Sequence, residues 1–135
     1  MKTVFTNGCF DLLHAGHISL LSKARELGDR LVVGLNSDAS ICDLKGVERP
    51  IVNEKDRLDQ LYALECVDEV YVFDSEEDLL DLIMDIMPDI LVKGKDWEGN
   101  PITGANFVYQ NGGKVVFIDS ESDITTSKLI EELKK

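Results

Sequence analysis

Long apolar runs are missing from this chain: no stretch approaches the ~20 consecutive apolar residues that a membrane-spanning helix requires. The N-terminus, MKTVFTNGCF, also lacks the charged, apolar and cleavage-site order of a secretory leader, so the expected address is cytoplasmic, with no membrane partner. Cysteine is scarce. Cys9, Cys42 and Cys66 are odd in number and stand in no C-x-x-C or Cys/His spacing, which indicates neither a disulfide framework nor a zinc site and leaves three reduced thiols. Cys9 invites a nucleophile reading, but a small buried thiol accounts for it more simply. Positive charge is short as well: 14 Lys and Arg stand against 26 Asp and Glu, a net charge of -12. Sequence-independent nucleic-acid affinity comes from cations neutralising phosphates, so no nucleic-acid partner is expected. An anionic ligand would have to meet a few concentrated cations, helix N-termini or a bound metal ion. With 135 residues the chain suffices for one compact domain over 1–135 and falls short of two.

What is present is an alternation of strands and helices. Thr3 to Thr6 is short, β-branched and aromatic, and Asn7-Gly8 turns the chain after it. Ile18, Leu20, Leu21, Ala24 and Leu27 follow helical spacing over Gly16 to Leu27, and Gly28 ends the pattern. Leu31 to Leu35 reads as a second strand, and Asn36 to Pro50 as a polar loop holding Ser37, Asp38, Lys45, Gly46 and Arg49. A helix capped by Asn53 runs to about Cys66. Strands follow over Glu69 to Phe73, Asp89 to Val92 and Lys114 to Ile118, with helices over Glu77 to Ile86, Ala105 to Gln110 and Thr126 to Leu133. The acidic run Asp74 to Asp85 carries an apolar stripe at Leu79, Leu80, Leu82, Ile83 and Ile86, so it reads as a solvated helix rather than a metal site. Five such units predict an α/β fold with a doubly wound, five-stranded parallel sheet and ligands at the carboxyl ends of its strands.

The only two histidines, His14 and His17, both fall in HAGH, between the first strand and the first helix. Spacing of three at a helix start puts both rings on one face, where backbone N–H groups and the helix dipole favour an anion. Gly16 leaves the backbone open to a phosphate. The pair would donate hydrogen bonds to an α-phosphate as charge builds in an in-line displacement. A two-histidine metal site is the alternative, but no third His is available to complete it.

TNGCFDLLHAGH resembles the signature of the HxGH nucleotidyltransferase superfamily. GLNSDAS, LKGVERPI, NEKDR, CVDEV, DILVKGKDW, QNGG and ITTSKLI extend the likeness to nearly the whole chain, where it is similar to the adenylyltransferase domain of ADP-heptose synthases. DWEG at Asp96 to Gly99 is also similar to glycerol-3-phosphate cytidylyltransferases. The resemblance implies a Rossmann-like nucleotidyltransferase fold with strand order 3-2-1-4-5. It implies that His14 and His17 contact the reacting phosphate and that Lys45, with Arg49 following it, reaches triphosphate or acceptor. The backbone at Thr6, Asn7 and Gly8 would lie against phosphates, while Phe10 and Asp11 shape the site and orient the motif, and Asp38 serves the acceptor. Arg57 would hold the acceptor or brace the loop. Lys93, Gly94 and Asp96 would meet the nucleotide, Asp96 through its ribose, with Trp97 beside the base or simply covering the loop. Thr125, Thr126 and Ser127 match an S-T-T that binds β- and γ-phosphate or merely caps the last helix. Asp123 departs from the glycine usual there, and Ser120 from an arginine of the cytidylyltransferases.

The expected reaction is transfer of AMP from Mg2+-bound ATP to a heptose 1-phosphate-like acceptor, with pyrophosphate released. CTP with glycerol 3-phosphate or another phosphorylated polyol is the alternative, and a non-catalytic nucleotide sensor a third. Any sugar kinase is expected on a separate chain. The likeness also implies a homodimer.

Overall fold

The structure, a computed structural model, describes residues 1–46 and 48–119. Strand β1 (Thr3–Gly8) is buried through its middle, with Val4 facing one side of the sheet and Phe5 the other. Around it lie β2 (Arg30–Asn36), β3 (Glu69–Phe73), β4 (Ile90–Gly94) and β5 (Lys114–Ile118), all parallel, in the order β3-β2-β1-β4-β5. That is the expected doubly wound order, with its reversal between β1 and β4.

Helices α1 (Ala15–Glu26) and α3 (Glu54–Tyr62) cover one face, where Leu21, Ala24 and Leu61 pack on Val4, Leu31, Val33 and Val92. Helices α4 (Glu76–Ile86) and α5 (Ala105–Gln110) cover the other, where Leu79, Ile83 and Val108 pack on Phe5, Val32 and Leu91. The alternation of strand side chains between two apolar layers accounts for strands that read as continuous hydrophobic runs. Asn53 and Ser75 cap α3 and α4, their side chains accepting from the N–H groups of Asp56 and Asp78. Met87 ends α4 in a left-handed conformation, just ahead of Pro88.

The segment expected to be a polar loop is instead partly helical: α2 spans Asp38–Lys45. Ser37 caps it by accepting from the Ser40 N–H at 3.1 Å, Ile41 is its buried anchor, and Gly46 follows its end. One apolar contact and two polar faces hid the helix in the composition. The expected last helix, with Thr125, Thr126, Ser127, Asp123 and Ser120, lies outside the described residues. Among the described residues no helix is long and apolar enough to cross a membrane.

Candidate active site

The sheet opens where its order reverses. The β1–β2 ladder runs on to Gly8 opposite Leu35, and the β4–β5 ladder to Gly94 opposite Ile118, but β1 and β4 pair only as far as Thr6 opposite Val92. Beyond that rung Asn7 and Gly8 part from Lys93 and Gly94, leaving a crevice at the carboxyl ends of the two central strands. Thr6 forms its floor: it is buried, and its hydroxyl donates to the Val92 carbonyl at 2.8 Å. The Thr6 side chain thus ties together the two strands that the crevice separates.

Past Gly8 the backbone turns sharply, with Phe10 and Leu12 both at positive φ, 48° and 56°. Non-glycine residues avoid this region, at a cost of roughly 1–2 kcal/mol each, so the surroundings must hold the loop. Asp11 does so. Its buried carboxylate accepts from the Ile51 N–H at 2.9 Å, the Val52 N–H at 2.8 Å and Arg49 Nε at 3.3 Å, fastening 49–52 to the loop. The Phe10 ring lies edge-on to His17, 5.4 Å between centroids, and a Cβ at Gly8 would press on that ring at 3.1 Å. Asp11 and Phe10 therefore orient the motif from beneath. The shaping of the site expected of both residues matches where the structure places the Asp11 oxygens and the Phe10 ring.

His14 is the N-cap of α1. Its Nδ1 accepts from the Gly16 N–H at 3.1 Å, and its own backbone N–H donates to His17 Nδ1 at 3.2 Å. The imidazoles have taken the places of the Ser/Thr and Glu/Gln of an ordinary capping box. A ring nitrogen that accepts from an N–H carries no proton, so in each neutral imidazole the hydrogen resides on Nε2. The rings stack with centroids 3.9 Å apart, presenting two Nε2–H donors side by side. The Gly16 N–H, expected to be open to a phosphate, is already bonded to His14.

Both rings resist protonation. Burial lowers the His14 pKa; for His17 burial, then the neighbouring His14, then the Lys45 ammonium bring it from 6.5 to about 4, against the opposing pull of Asp11. At neutral pH both are uncharged donors. The unfolded chain's imidazole takes up a proton before the folded one, so protonation of His17 favours unfolding. Its contribution to stability is whole above about pH 6.5, falls as the pH drops toward about 4 and then levels off. After allowance for the ring's partial exposure it amounts to about 2 kcal/mol. Urea unfolding at pH 7 and pH 4.5 should show the wild type losing more stability than His17→Gln, which keeps an acceptor at N3; equal losses would contradict the shift.

Lys45 stands exposed in the last turn of α2, its charge felt at His17. Arg49 is mostly covered, with Nε on Asp11. Arg57 differs from the expected acceptor contact. Its side chain has no exposed surface, and it donates from Nε to Val52 O at 2.9 Å, from Nη1 to Cys9 O at 2.8 Å and Asn36 O at 2.7 Å, and from Nη2 to Asp38 at 2.8 Å. One guanidinium joins the ends of β1 and β2, the start of α2 and the 49–52 segment. Bracing, the other role left open in the sequence, fits this geometry, and Asp38 is its ion partner.

On the α4/α5 face of the crevice, Lys93 is buried in β4 with its ammonium 4.5 Å from the Trp97 ring centroid. Burial lowers its pKa, opposed by Glu76, Asp96 and Cys9. Asp96 stands exposed on a turn of 3-10 helix, Lys95–Trp97, with one oxygen so close to Gly94 that a Cβ there would lie 2.6 Å from it. A Cβ at Gly94 would push that flexible carboxylate aside. Asn7, Glu76, Leu79, Lys93, Trp97 and Thr103, with the Pro101–Ile102 segment, enclose a cavity of about 240 Å3. Glu76 and Thr103 escaped the sequence reading, because one lay in an acidic helix and the other in a connecting loop; only the strand order brings them beside Lys93.

A parallel sheet whose switch point carries two uncharged imidazole donors and cations from separate elements defines an α/β enzyme of the nucleotidyl-transferring class. A family model described as Cytidylyltransferase-like matches residues 5–132, and the chain belongs to that family of nucleotidyltransferases. It is 52% identical over 130 residues to the bifunctional protein HldE of Syntrophotalea carbinolica, covering 96% of this chain and 26% of that protein. To the HldE of Helicobacter pylori strain 26695 it is 51% identical over 134 residues, covering 99% of this chain and 28% of that one. The chain thus spans about a quarter of the length of these relatives. A crystal structure of a lipopolysaccharide core biosynthesis protein from Thermoplasma volcanium superposes with a TM-score of 0.75 at 30% identity, covering 90% of this chain and 99% of that one. Pantothenate synthetase from Thermus thermophilus, at TM-score 0.58 and 12% identity over 97% of this chain and 64% of that one, shares the fold.

Proposed function

We propose that the chain transfers AMP from ATP to a sugar 1-phosphate of the heptose 1-phosphate kind, releasing pyrophosphate. The observation that carries this reading is the pair of Nε2–H imidazoles stacked at the mouth of the crevice. Attack by an acceptor phosphate oxygen on the α-phosphorus builds negative charge on the α-phosphoryl oxygens and on the bridge to the leaving pyrophosphate, and two fixed uncharged donors stabilise it there. An uncharged donor keeps its proton throughout, so no covalent intermediate and no proton relay through the histidines is required. Lys45 reaches the same anions from α2. Asp96 offers a carboxylate to ribose hydroxyls.

Mg2+ enters as part of the triphosphate substrate, neutralising β- and γ-oxygens. The choice of ATP and of a sugar acceptor is supported by identity of about half the residues with HldE proteins and by the likeness to a lipopolysaccharide core biosynthesis protein. CTP remains the competing donor, favoured by the family's description.

Purified protein with Mg2+, ATP or CTP, and either heptose 1-phosphate or glycerol 3-phosphate separates these readings. Pyrophosphate is expected with ATP and heptose 1-phosphate. Release with CTP alone, or nucleotide binding without pyrophosphate from any pair, would overturn the proposal.

A further inference from the structure

Helix α2 carries Lys45 on a narrow footing. Only Ser40 and Ile41 of its eight residues are buried, while Asp43, Leu44 and Lys45 are exposed. Its polar ties to the fold gather at the first turn. The Ser37 N–H donates to Phe73 O at 3.0 Å, the Asn36 amide donates to Ser40 Oγ at 3.2 Å, and Asp38 is the ion partner of Arg57. One further tie comes from α3: the Asp38 N–H, the first amide of α2, donates to Glu54 Oε1 at 3.0 Å.

Glu54 is itself the first residue of α3, so one carboxylate serves two helix starts. The first amides of a helix have no acceptor within it, and negative charge beside them is favourable. Arg57 holds the Asp38 side chain and Glu54 holds its backbone, both from α3. Two bonds at separate points of one residue fix a direction as well as a position. With one removed, α2 is free to tilt about Ile41, its buried anchor. Lys45 lies four residues beyond Ile41, about 6 Å along the axis at ~1.5 Å per residue. A tilt of roughly 10° displaces that last turn by about 1 Å, and a misplacement of this size can cost a reaction about 10²-fold.

We infer that Glu54 is a positioning residue for nucleotidyl transfer: by accepting from the Asp38 N–H it fixes the direction of α2, and so the place of the Lys45 ammonium beside the imidazole pair. Glu54 touches no substrate and acts through Lys45. The inference rests on the transfer reading and deepens it, but one of its readouts needs no turnover. Lys45 opposes protonation of His17, along with burial and His14 and against Asp11, so the His17 titration reports where Lys45 stands.

Pyrophosphate release is measured for Glu54→Ala, Glu54→Asp and Glu54→Gln, alone and combined with Lys45→Met, and the His17 titration is followed by NMR in each. Glu54→Ala should lower kcat about tenfold, as should Glu54→Asp, which keeps the charge but shortens the reach; the KM for ATP should stay within about threefold. Glu54→Gln retains the acceptor oxygen and should stay within about twofold of wild type. On a Lys45→Met background, Glu54→Ala should cost less than about twofold more, because the group it positions is gone. The His17 midpoint should rise by roughly 0.3 pH unit in Lys45→Met and by part of that in Glu54→Ala. Loss of the Glu54 carboxylate by itself would lower that midpoint, so a rise belongs to Lys45. The inference is overturned by a wild-type kcat in Glu54→Ala and Glu54→Asp, by a tenfold loss that persists without Lys45, or by a His17 midpoint that stays or falls in Glu54→Ala. Absent pyrophosphate from the wild type, with both midpoints still rising, would instead mark failure of the transfer reading.

Discussion

His17→Ala is expected to lower kcat by roughly 10²–10³-fold, the cost of removing one preorganised donor from a developing oxyanion. The KM for ATP should move only a few-fold, because the donor matters most where charge is greatest, in the transition state. Stability should fall by about 1 kcal/mol, since the alanine also leaves the His14 N–H without its partner in the capping box. His14→Ala removes the other donor and the bond from Gly16 N–H, with a similar result. The double variant should fall short of the product of the single losses, because the rings act as one stacked unit. Steady-state pyrophosphate release and urea unfolding check these values. Turnover within tenfold of wild type in a folded single variant would remove that imidazole from the mechanism.

Arg57→Ala is expected to have the largest effect on stability, about 4 kcal/mol. The change strips hydrogen-bond donors from Val52, Cys9 and Asn36 carbonyls and an ion partner from Asp38. A buried acceptor left without its donor costs about 1–3 kcal/mol, and breaking a buried charged network about 3–5 kcal/mol. Arg57→Lys should recover only part, because an ammonium cannot reach four acceptors in the directions a planar guanidinium serves. The measurement is the urea midpoint of each variant. A loss below 1 kcal/mol for Arg57→Ala would mean that the motif loop and α2 hold their places without it.

The fold was legible because its strands are continuous apolar runs and its turns carry Gly, Asn or Pro. Glu69–Phe73, Lys114–Ile118 and Ala105–Gln110 fall where hydrophobic pattern and breakers place them. The histidines were legible for a different reason: two identical rare residues three apart at a helix start have few explanations. What escaped was whatever depends on tertiary approach. Helix α2 shows one buried apolar anchor, Ile41, in a polar stretch, and Ser37 gave the only local sign of its start. Arg57 stood open between holding the acceptor and bracing the loop, because its spacing from the motif says nothing of four acceptors converging on it. Glu76 and Thr103 are 27 positions apart and meet only because α4 and the segment before α5 cover the same face. Asp11 was expected to shape the site, but only the fold shows that it does so by bonding backbone 40 positions onward.

In the proposed mechanism two uncharged imidazoles, each protonated on Nε2 and fixed through Nδ1, face the reacting phosphate. With only His14 and His17 in the chain, the imidazole nitrogen and proton resonances of labelled protein are free of overlap from other histidines. At pH 7 both rings should appear as the Nε2–H form, and adding Mg2+ with a non-hydrolysable ATP analogue should move both Nε2 resonances while leaving Nδ1 bonded to the backbone. A ring protonated on Nδ1, a pair of imidazolium signals in the free protein, or Nε2 resonances indifferent to the analogue would contradict the account.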